Sequence, residues 1–354
     1  MTMDVQTALV LTIQLVALFS IAGALLLYLL CKIRAEPGGI AEDVGDIGGG
    51  RAVIVTSCDT AFGLQVALHL STRGFRVFAG IRDMHEDCTA LRAARAWVKE
   101  RESIPVRGQG MLVALPLDVT REDLLHEAAD IIRAHLPAGE DGVWAVINTS
   151  GVVHRGKLDH QDISHWESML KTNIIGVLRT SRAFQSLLRN TRGRFITVGA
   201  AVNKNNTTTT TSTTPANNNN NNGNTTSSAT GGANGDDCTG LVAYTATRYA
   251  VQGACEVLRR ELGGLGIKVV TLTPEGISPD IIYAPPKLRN VVPEQKPETA
   301  VNITDVTVEI HPKVLSMQAL NNIDLALTCA EPYPSYTLSP KKPWFSQFTT
   351  AKSL

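Results

Sequence analysis

The chain carries no excess of either charge. Its thirty-three basic and thirty-three acidic side chains cancel, whereas proteins that grip nucleic acid show a basic stripe, so nucleic acid is excluded as a partner. Cysteine is sparse and scattered. The six thiols, at positions 31, 58, 88, 238, 255 and 329, form no C-x-x-C pair and have no histidine at ligand spacing. Neither a metal site nor a disulfide framework is expected, and the cysteines read as ordinary reduced thiols. Charge itself is scarce, at 19% of residues against 44% hydrophobic, which is more apolar than a soluble core needs.

The apolar excess sits at the front. From Ala8 to Cys31 there is no charged side chain and only Gln14 is strongly polar, a run long enough to cross a ~30 Å hydrocarbon layer as a helix. A cleaved signal peptide would want a positive start, a shorter apolar core and a small-residue cleavage site; here Asp4 precedes the run and Lys32 and Arg34 follow it. Residues 1–34 therefore read as a single-pass anchor in an internal membrane such as the endoplasmic reticulum. The two flanking cations place the bulk of the chain on the cytosolic side. There the glycosylation sequons at Asn205, Asn206, Asn224 and Asn302 stay unmodified. Pro37–Gly50 holds six glycines and a proline without apolar period, so residues 35–50 read as a flexible stalk.

Behind it, short apolar runs alternate with helical spacing. Ala52–Thr56, Phe75–Ala79, Met111–Leu117, Val143–Ile147, Arg194–Val198 and Ile267–Leu272 predict strands. Phe62–Arg73, Leu91–Glu100, Arg121–His135, His165–Asn190 (one long or broken helix) and Leu241–Leu262 predict helices between them. This alternation is that of βαβ units and an α/β, doubly wound parallel sheet. Asn203–Gly235 is almost entirely Asn, Thr, Ser and Gly; it has no apolar surface to offset ordering entropy and reads as a disordered insertion within residues 203–240. Beyond Pro274 the only further expectation is a short helix in Val314–Thr328, and the tail 331–354 supports none.

The turn after the first strand reads Thr56-Ser57-Cys58-Asp59-Thr60-Ala61-Phe62-Gly63. A glycine-rich turn there lets backbone N–H groups and a helix N-terminus meet a dinucleotide pyrophosphate. The stretch resembles the T-G-x-x-x-G-x-G turn of the short-chain dehydrogenase/reductase superfamily. It is most similar to the TGCDSGFG form in the branch of retinol, 11β- and 17β-hydroxysteroid and 3-hydroxybutyrate dehydrogenases. The resemblance continues in order through Asp118, Asn148-Thr149-Ser150-Gly151, Asn173, Tyr244-x-x-x-Arg248 and Pro274-Glu275-Gly276, and reappears in 319–336.

It implies a single Rossmann-type domain over 51–330, an NAD or NADP cofactor and hydride transfer to or from a lipophilic alcohol or ketone, steroid- or retinoid-like. It also implies a homodimer formed through the helices of 165–190 and 241–262. The cofactor residues carried over are Thr56, Ser57, Ala61, Phe62, Gly63, Arg82, Asp118, Asn148, Gly151 and Pro274; Tyr244, Arg248 and Asn173 carry the chemistry. Arg82 stands where an acid would hold a ribose 2′-hydroxyl and leans the cofactor toward NADP, unless it is a turn residue paired with Asp83.

The departures from the family pattern are as informative as the matches. Ser57 and Ala61 stand where glycines belong: a Cβ at Ser57 penalises a positive φ by ~1 kcal/mol, and the Ala61 methyl crowds the pyrophosphate. Arg248 replaces the family's lysine; its guanidinium supplies positive charge but gives up no proton. Gly199-Ala200 replaces the Ser-Ser that supplies a hydroxyl to the substrate oxygen, a donor worth ~10²–10³ in rate. Plainer roles are open for several residues: Asp118 as a cap, Asn173 as a bend filler, Asn148 as a strand tie, Tyr244 as a packing side chain, and His154, His160 and His165 as surface residues. Two functions follow from this pattern: an oxidoreductase with impaired activity, or a non-catalytic scaffold or ligand-binding protein on the same fold.

Overall fold

The computed structural model describes Gln14 and residues 46–85, 88–102, 110–200, 239–291, 307–311 and 313–340. The apolar run Ala8–Cys31 expected to span a membrane, the remainder of the anchor, and the Asn/Thr insertion lie outside the described residues, Gln14 apart. Among the described residues, no helix is long and apolar enough to cross a membrane.

The chain runs β1 (Ala52–Val55), α1 (Ala61–Thr72), β2 (Arg76–Ile81), α2 (Thr89–Glu102), β3 (Met111–Pro116), α3 (Glu122–His135) and β4 (Ala145–Asn148). It continues through α4 (Ile163–Leu170), a π-helical turn (Lys171–Ile175), α5 (Gly176–Ala183), α6 (Gln185–Thr191), β5 (Arg194–Val198), α7 (Val242–Gly263) and β6 (Lys268–Pro274). The last elements are α8 (Pro279–Ile282), the antiparallel pair β7 (Lys287–Val291) and β8 (Thr307–His311), α9 (Met317–Thr328) and β9 (Ser335–Leu338).

Seven strands form one parallel sheet in the order β3-β2-β1-β4-β5-β6-β9. Parallel strands covered on both faces read as nearly continuous apolar runs, which is why β1 is AVIV and wholly buried. Its alternate side chains divide between two cores. Val53 and Val55 pack with Phe62, Leu70, Leu91 and Leu327 on one face. Ala52 and Ile54 pack with Leu125, Val177, Val251 and Cys255 on the other. Strand order reverses between β1 and β4, so the crevice at their carboxyl ends is where a ligand of a doubly wound sheet binds.

The stretch 165–190 is broken, as one of its two readings allows, into three helices around the π-turn. Two features depart from the expectations. The end of the expected stalk is packed: the Gly48 and Gly50 amides donate to the carbonyls of Arg73 and Gly74 at 2.8 and 2.9 Å, and the Arg51 guanidinium stacks on Trp144. The tail contributes β9, which lies beyond residue 330 and pairs with β6 from Thr271↔Ser335 to Pro274↔Leu338. A four-residue edge strand with alternating burial carries too short a pattern to be read from sequence.

Candidate active site

The first βα turn is held by its own polar groups. Thr60 caps α1, its Oγ1 accepting from the Gly63 amide at 3.1 Å and donating to the Ser57 carbonyl at 2.9 Å. Ser57 takes φ +49°, the left-handed conformation that penalises any residue with a Cβ. Gly63 is required: a Cβ there would overlap the Ser57 carbonyl oxygen and come within 2.8 Å of Thr149 Oγ1. Phe62 turns its ring into the core, and Ala61 is wholly buried with its amide donating to the Ala284 carbonyl at 2.8 Å. Burial pushes the Cys58 thiol well above its ordinary range, so it is an inert core group.

Across the crevice, Asn148 does tie strands. Its Oδ1 accepts from Thr56 Oγ1 at 2.8 Å and from the Ser150 amide at 3.2 Å, while Thr56 Oγ1 in turn accepts from the Thr149 amide at 3.0 Å. Its Nδ2 is buried without a partner, an orphaned donor at the end of β4 that is costly unless another group supplies an acceptor.

Tyr244 and Arg248 lie one helical turn apart near the start of α7, both buried, with the guanidinium carbon 5.4 Å from the phenol ring centre. Asn173 sits in the π-turn, a bulge type frequent at functional sites. Its Oδ1 accepts from the Val152 amide at 2.8 Å and its Nδ2 donates to the Val152 carbonyl at 3.0 Å and Thr247 Oγ1 at 3.1 Å. Thr247 Oγ1 donates to the Tyr244 carbonyl at 2.6 Å, so one chain of bonds joins the loop after β4 to the Tyr244 backbone. Three residues that the motifs do not mark complete the arrangement. Tyr283 lies edge-on to Tyr244 with ring centres 6.2 Å apart, and its hydroxyl accepts from Arg248 Nη2. The Ala284 carbonyl caps α1, and Gln252 accepts from the Ala200 amide at 3.3 Å. Gln252 could have been found four residues after Arg248 on the same helix face; Tyr283 and Ala284 have no local signal.

The remaining candidates take plainer positions. Arg82 pairs with Asp59 at 2.6 Å, on the first turn, and not with its neighbour Asp83, because Asp59 faces it across the crevice mouth. Asp118 caps the turn before α3, its Oδ1 accepting from the Thr120 amide and hydroxyl at 2.8 Å. Pro274 ends β6, and the positive φ of Gly276, +68°, makes the turn that follows Glu275. His154 and His165 stack at 4.5 Å, whereas His160 is exposed beside Asp159. Burial, reinforced by His165, lowers the His154 pKa. No His/Cys/Asp/Glu group among the described residues could hold a metal.

A doubly wound parallel sheet with a capped helix at its switch point is a frame on which nucleotides bind. The family model described as short chain dehydrogenase matches residues 51–212. Mitochondrial D-beta-hydroxybutyrate dehydrogenase of Rattus norvegicus is 24% identical over 307 residues, covering 82% of this chain and 77% of that protein. Estradiol 17-beta-dehydrogenase 2 of Mus musculus is 28% identical over 234 residues, covering 65% of this chain and 49% of its own length. The bovine hydroxybutyrate enzyme is spanned over 61% of its length, so several relatives are matched over well under two thirds. Among solved structures, an alcohol dehydrogenase from the archaeon Thermococcus sibiricus complexed with 5-hydroxy-NADP aligns with a TM-score of 0.47 at 15% identity, over 66% of this chain and 80% of that one. Over residues 51–212 the chain matches the short-chain dehydrogenase family, and its relatives are hydroxybutyrate and hydroxysteroid dehydrogenases.

Proposed function

We propose that this protein is an NAD(P)-dependent oxidoreductase of low turnover, acting on a secondary alcohol or ketone of lipophilic character such as a steroid or retinoid. The observation that carries this reading is the buried Tyr244–Arg248 pair at the carboxyl edge of the sheet, with Asn173 bonded to the same loop and helix. When bound, the nicotinamide cofactor supplies the hydride chemistry of the family. On the phosphate side the residues fit such a group in part: Gly63 lets a ligand approach and Arg82 can meet phosphate or ribose, while the Ala61 amide at the α1 N-terminus is held by the Ala284 carbonyl. On the nicotinamide side they do not fit as they stand, because Tyr283 covers Gly151 and Arg248.

The chain's own contribution is then as follows. The Tyr244 hydroxyl exchanges a proton with the substrate oxygen, and Arg248 sets a fixed positive charge 5.4 Å from the phenol ring centre. Ala200 offers no hydroxyl for that oxygen, so one transition-state donor is missing. Met169, Leu241, Val152, Val153 and Trp166 pack around Tyr244 and offer apolar walls to a lipophilic substrate. NADP is favoured over NAD by Arg82. Exposed apolar side chains along the helices expected to pair, Ile175 and Leu178 on one and Tyr249 and Val257 on the other, support a homodimer. Attachment to an internal membrane through residues 8–31, with the domain cytosolic, belongs to the same proposal.

A second reading, a non-catalytic ligand-binding protein, is favoured by the filled nicotinamide side together with Ala200 and Arg248. Titration of the full chain with NADPH and NADH, followed by a turnover screen over ketosteroids, retinoids and 3-hydroxybutyrate, separates the two. Cofactor-dependent turnover supports the first; cofactor binding without turnover supports the second. Failure to bind either nucleotide refutes the first.

A further inference from the structure

One short segment closes the crevice at two points. After β6 the chain makes the single turn α8 and passes over the ends of β1 and β4. The Ala284 carbonyl accepts the Ala61 amide at 2.8 Å, so one of the first N–H groups of α1, which a phosphate would otherwise meet, is already taken. One residue earlier, the Tyr283 ring lies so close over Gly151 that a Cβ on that glycine would come within 2.5 Å of its Cζ. The phenol stands 5.2 Å from the Arg248 guanidinium, measured to the ring centre, and burial pushes its pKa well above the ordinary value.

Arg248 explains why the ring stays there. The guanidinium is 2% exposed and Nε has no partner. Nη1 and Nη2 reach the Val198 and Ser150 carbonyls only at 3.3 and 3.5 Å. No carboxylate among the described residues faces it; its neighbours are the two phenols. A buried cation so weakly served requires an acceptor, and the Tyr283 hydroxyl is the shortest one it has. A ribose hydroxyl arriving at the same place would satisfy the same donors. Beyond the phenol the crevice stays open as a cleft of about 330 Å³ whose lining includes Asp59, Thr60, Arg82, His85, Cys88 and Thr89.

We infer that Tyr283 is a specificity-determining residue that occupies the nicotinamide-riboside half of the crevice, so that the closed protein takes only the adenosine-phosphate end of a nucleotide. A whole dinucleotide binds by displacing the segment of Tyr283 and Ala284. This inference rests on the reading of the crevice as a dinucleotide site.

The test is calorimetric titration of the full chain, as wild type, Tyr283→Ala and Tyr283→Phe, with NADPH and with 2′,5′-ADP, which lacks the nicotinamide half. In the wild type NADPH is expected to bind no more tightly than 2′,5′-ADP. Tyr283→Ala is expected to raise NADPH affinity ~10-fold or more while 2′,5′-ADP stays within ~2-fold, and Tyr283→Phe, which keeps the ring but loses the hydroxyl that Arg248 holds, is expected to fall between wild type and Tyr283→Ala. Equal NADPH affinity in wild type and Tyr283→Ala overturns the inference and leaves the dinucleotide site intact. Binding of neither nucleotide by any of the three proteins overturns both. If Tyr283→Ala does not fold, hydrogen exchange on wild type decides: saturating NADPH should deprotect residues 279–286, and bound NADPH without that change overturns the inference.

Discussion

Replacing Ser57 by glycine tests whether the first turn is strained. Ser57 is 7% exposed and holds φ at +49°. A side chain in that region costs ~1–2 kcal/mol. Glycine removes the cost but makes the unfolded chain freer by ~0.4–1 kcal/mol. The net expectation is that Ser57→Gly stabilises by about 0.5–1 kcal/mol, which raises the melting temperature of a domain this size by about 1–4 °C. The neighbouring change has the opposite sign. Gly63→Ala drives a methyl into the Ser57 carbonyl and to within 2.8 Å of Thr149 Oγ1, and because the obstruction is backbone it cannot rotate away. Overpacking of that kind costs ~1–3 kcal/mol. Scanning calorimetry of the two variants beside wild type, with urea m-values to verify that the unfolded state is unchanged, gives both signs. Melting of Ser57→Gly at or below wild type would refute the reasoning: the serine would then contribute more in the folded turn than its conformation costs.

Other expectations follow from the site and its supports. Ala200→Ser combined with Arg248→Lys restores the family's hydroxyl and ammonium, and the double variant should exceed wild-type turnover by ~10² or more in NADPH-linked assays; unchanged turnover would place the block elsewhere. Asp324, buried between α1 and α9, pairs with His69 at 2.9 Å and Arg73 at 3.1 Å. Asp324→Ala should therefore cost about 2–3 kcal/mol in urea unfolding, and a loss below ~0.5 kcal/mol would contradict the pairing. His154 has a folded pKa below its unfolded value. The unfolded state then binds the proton more readily, so stability declines as pH falls through about 6.5. His154→Gln should flatten melting temperature against pH between about pH 5 and 8, and an unchanged slope would assign the decline to other groups.

Much of the frame was legible because its rules are local. Strands covered on both faces are nearly continuous apolar runs, so six of the seven sheet strands stand out between turns. Tyr244 and Arg248 could be placed side by side from spacing alone, since four residues make about one helical turn. The cost that a Cβ at Ser57 carries at any positive φ is legible from the glycine that the family pattern has there; the φ of +49° itself is a finding of the structure. The break in the 165–190 helix was left open, because a π-turn is stabilised by what its buried Asn173 reaches, the Val152 backbone and Thr247, and neither lies in the same turn.

What the sequence by itself determined was therefore the sheet, its connections and the eroded motif set. Periodicity and turn chemistry act over a few residues at a time. What only the tertiary structure decided is how the crevice is occupied: Tyr283 on Arg248, Ala284 on the Ala61 amide, Gln252 on the Ala200 amide, and Arg82 bonded to Asp59 instead of Asp83. Most of these contacts join residues far apart along the chain, whose meeting depends on the parallel sheet bringing the ends of β1, β4, β5 and β6 to one edge. No local pattern encodes that meeting, because the free energy that holds each side chain there comes from partners on other elements.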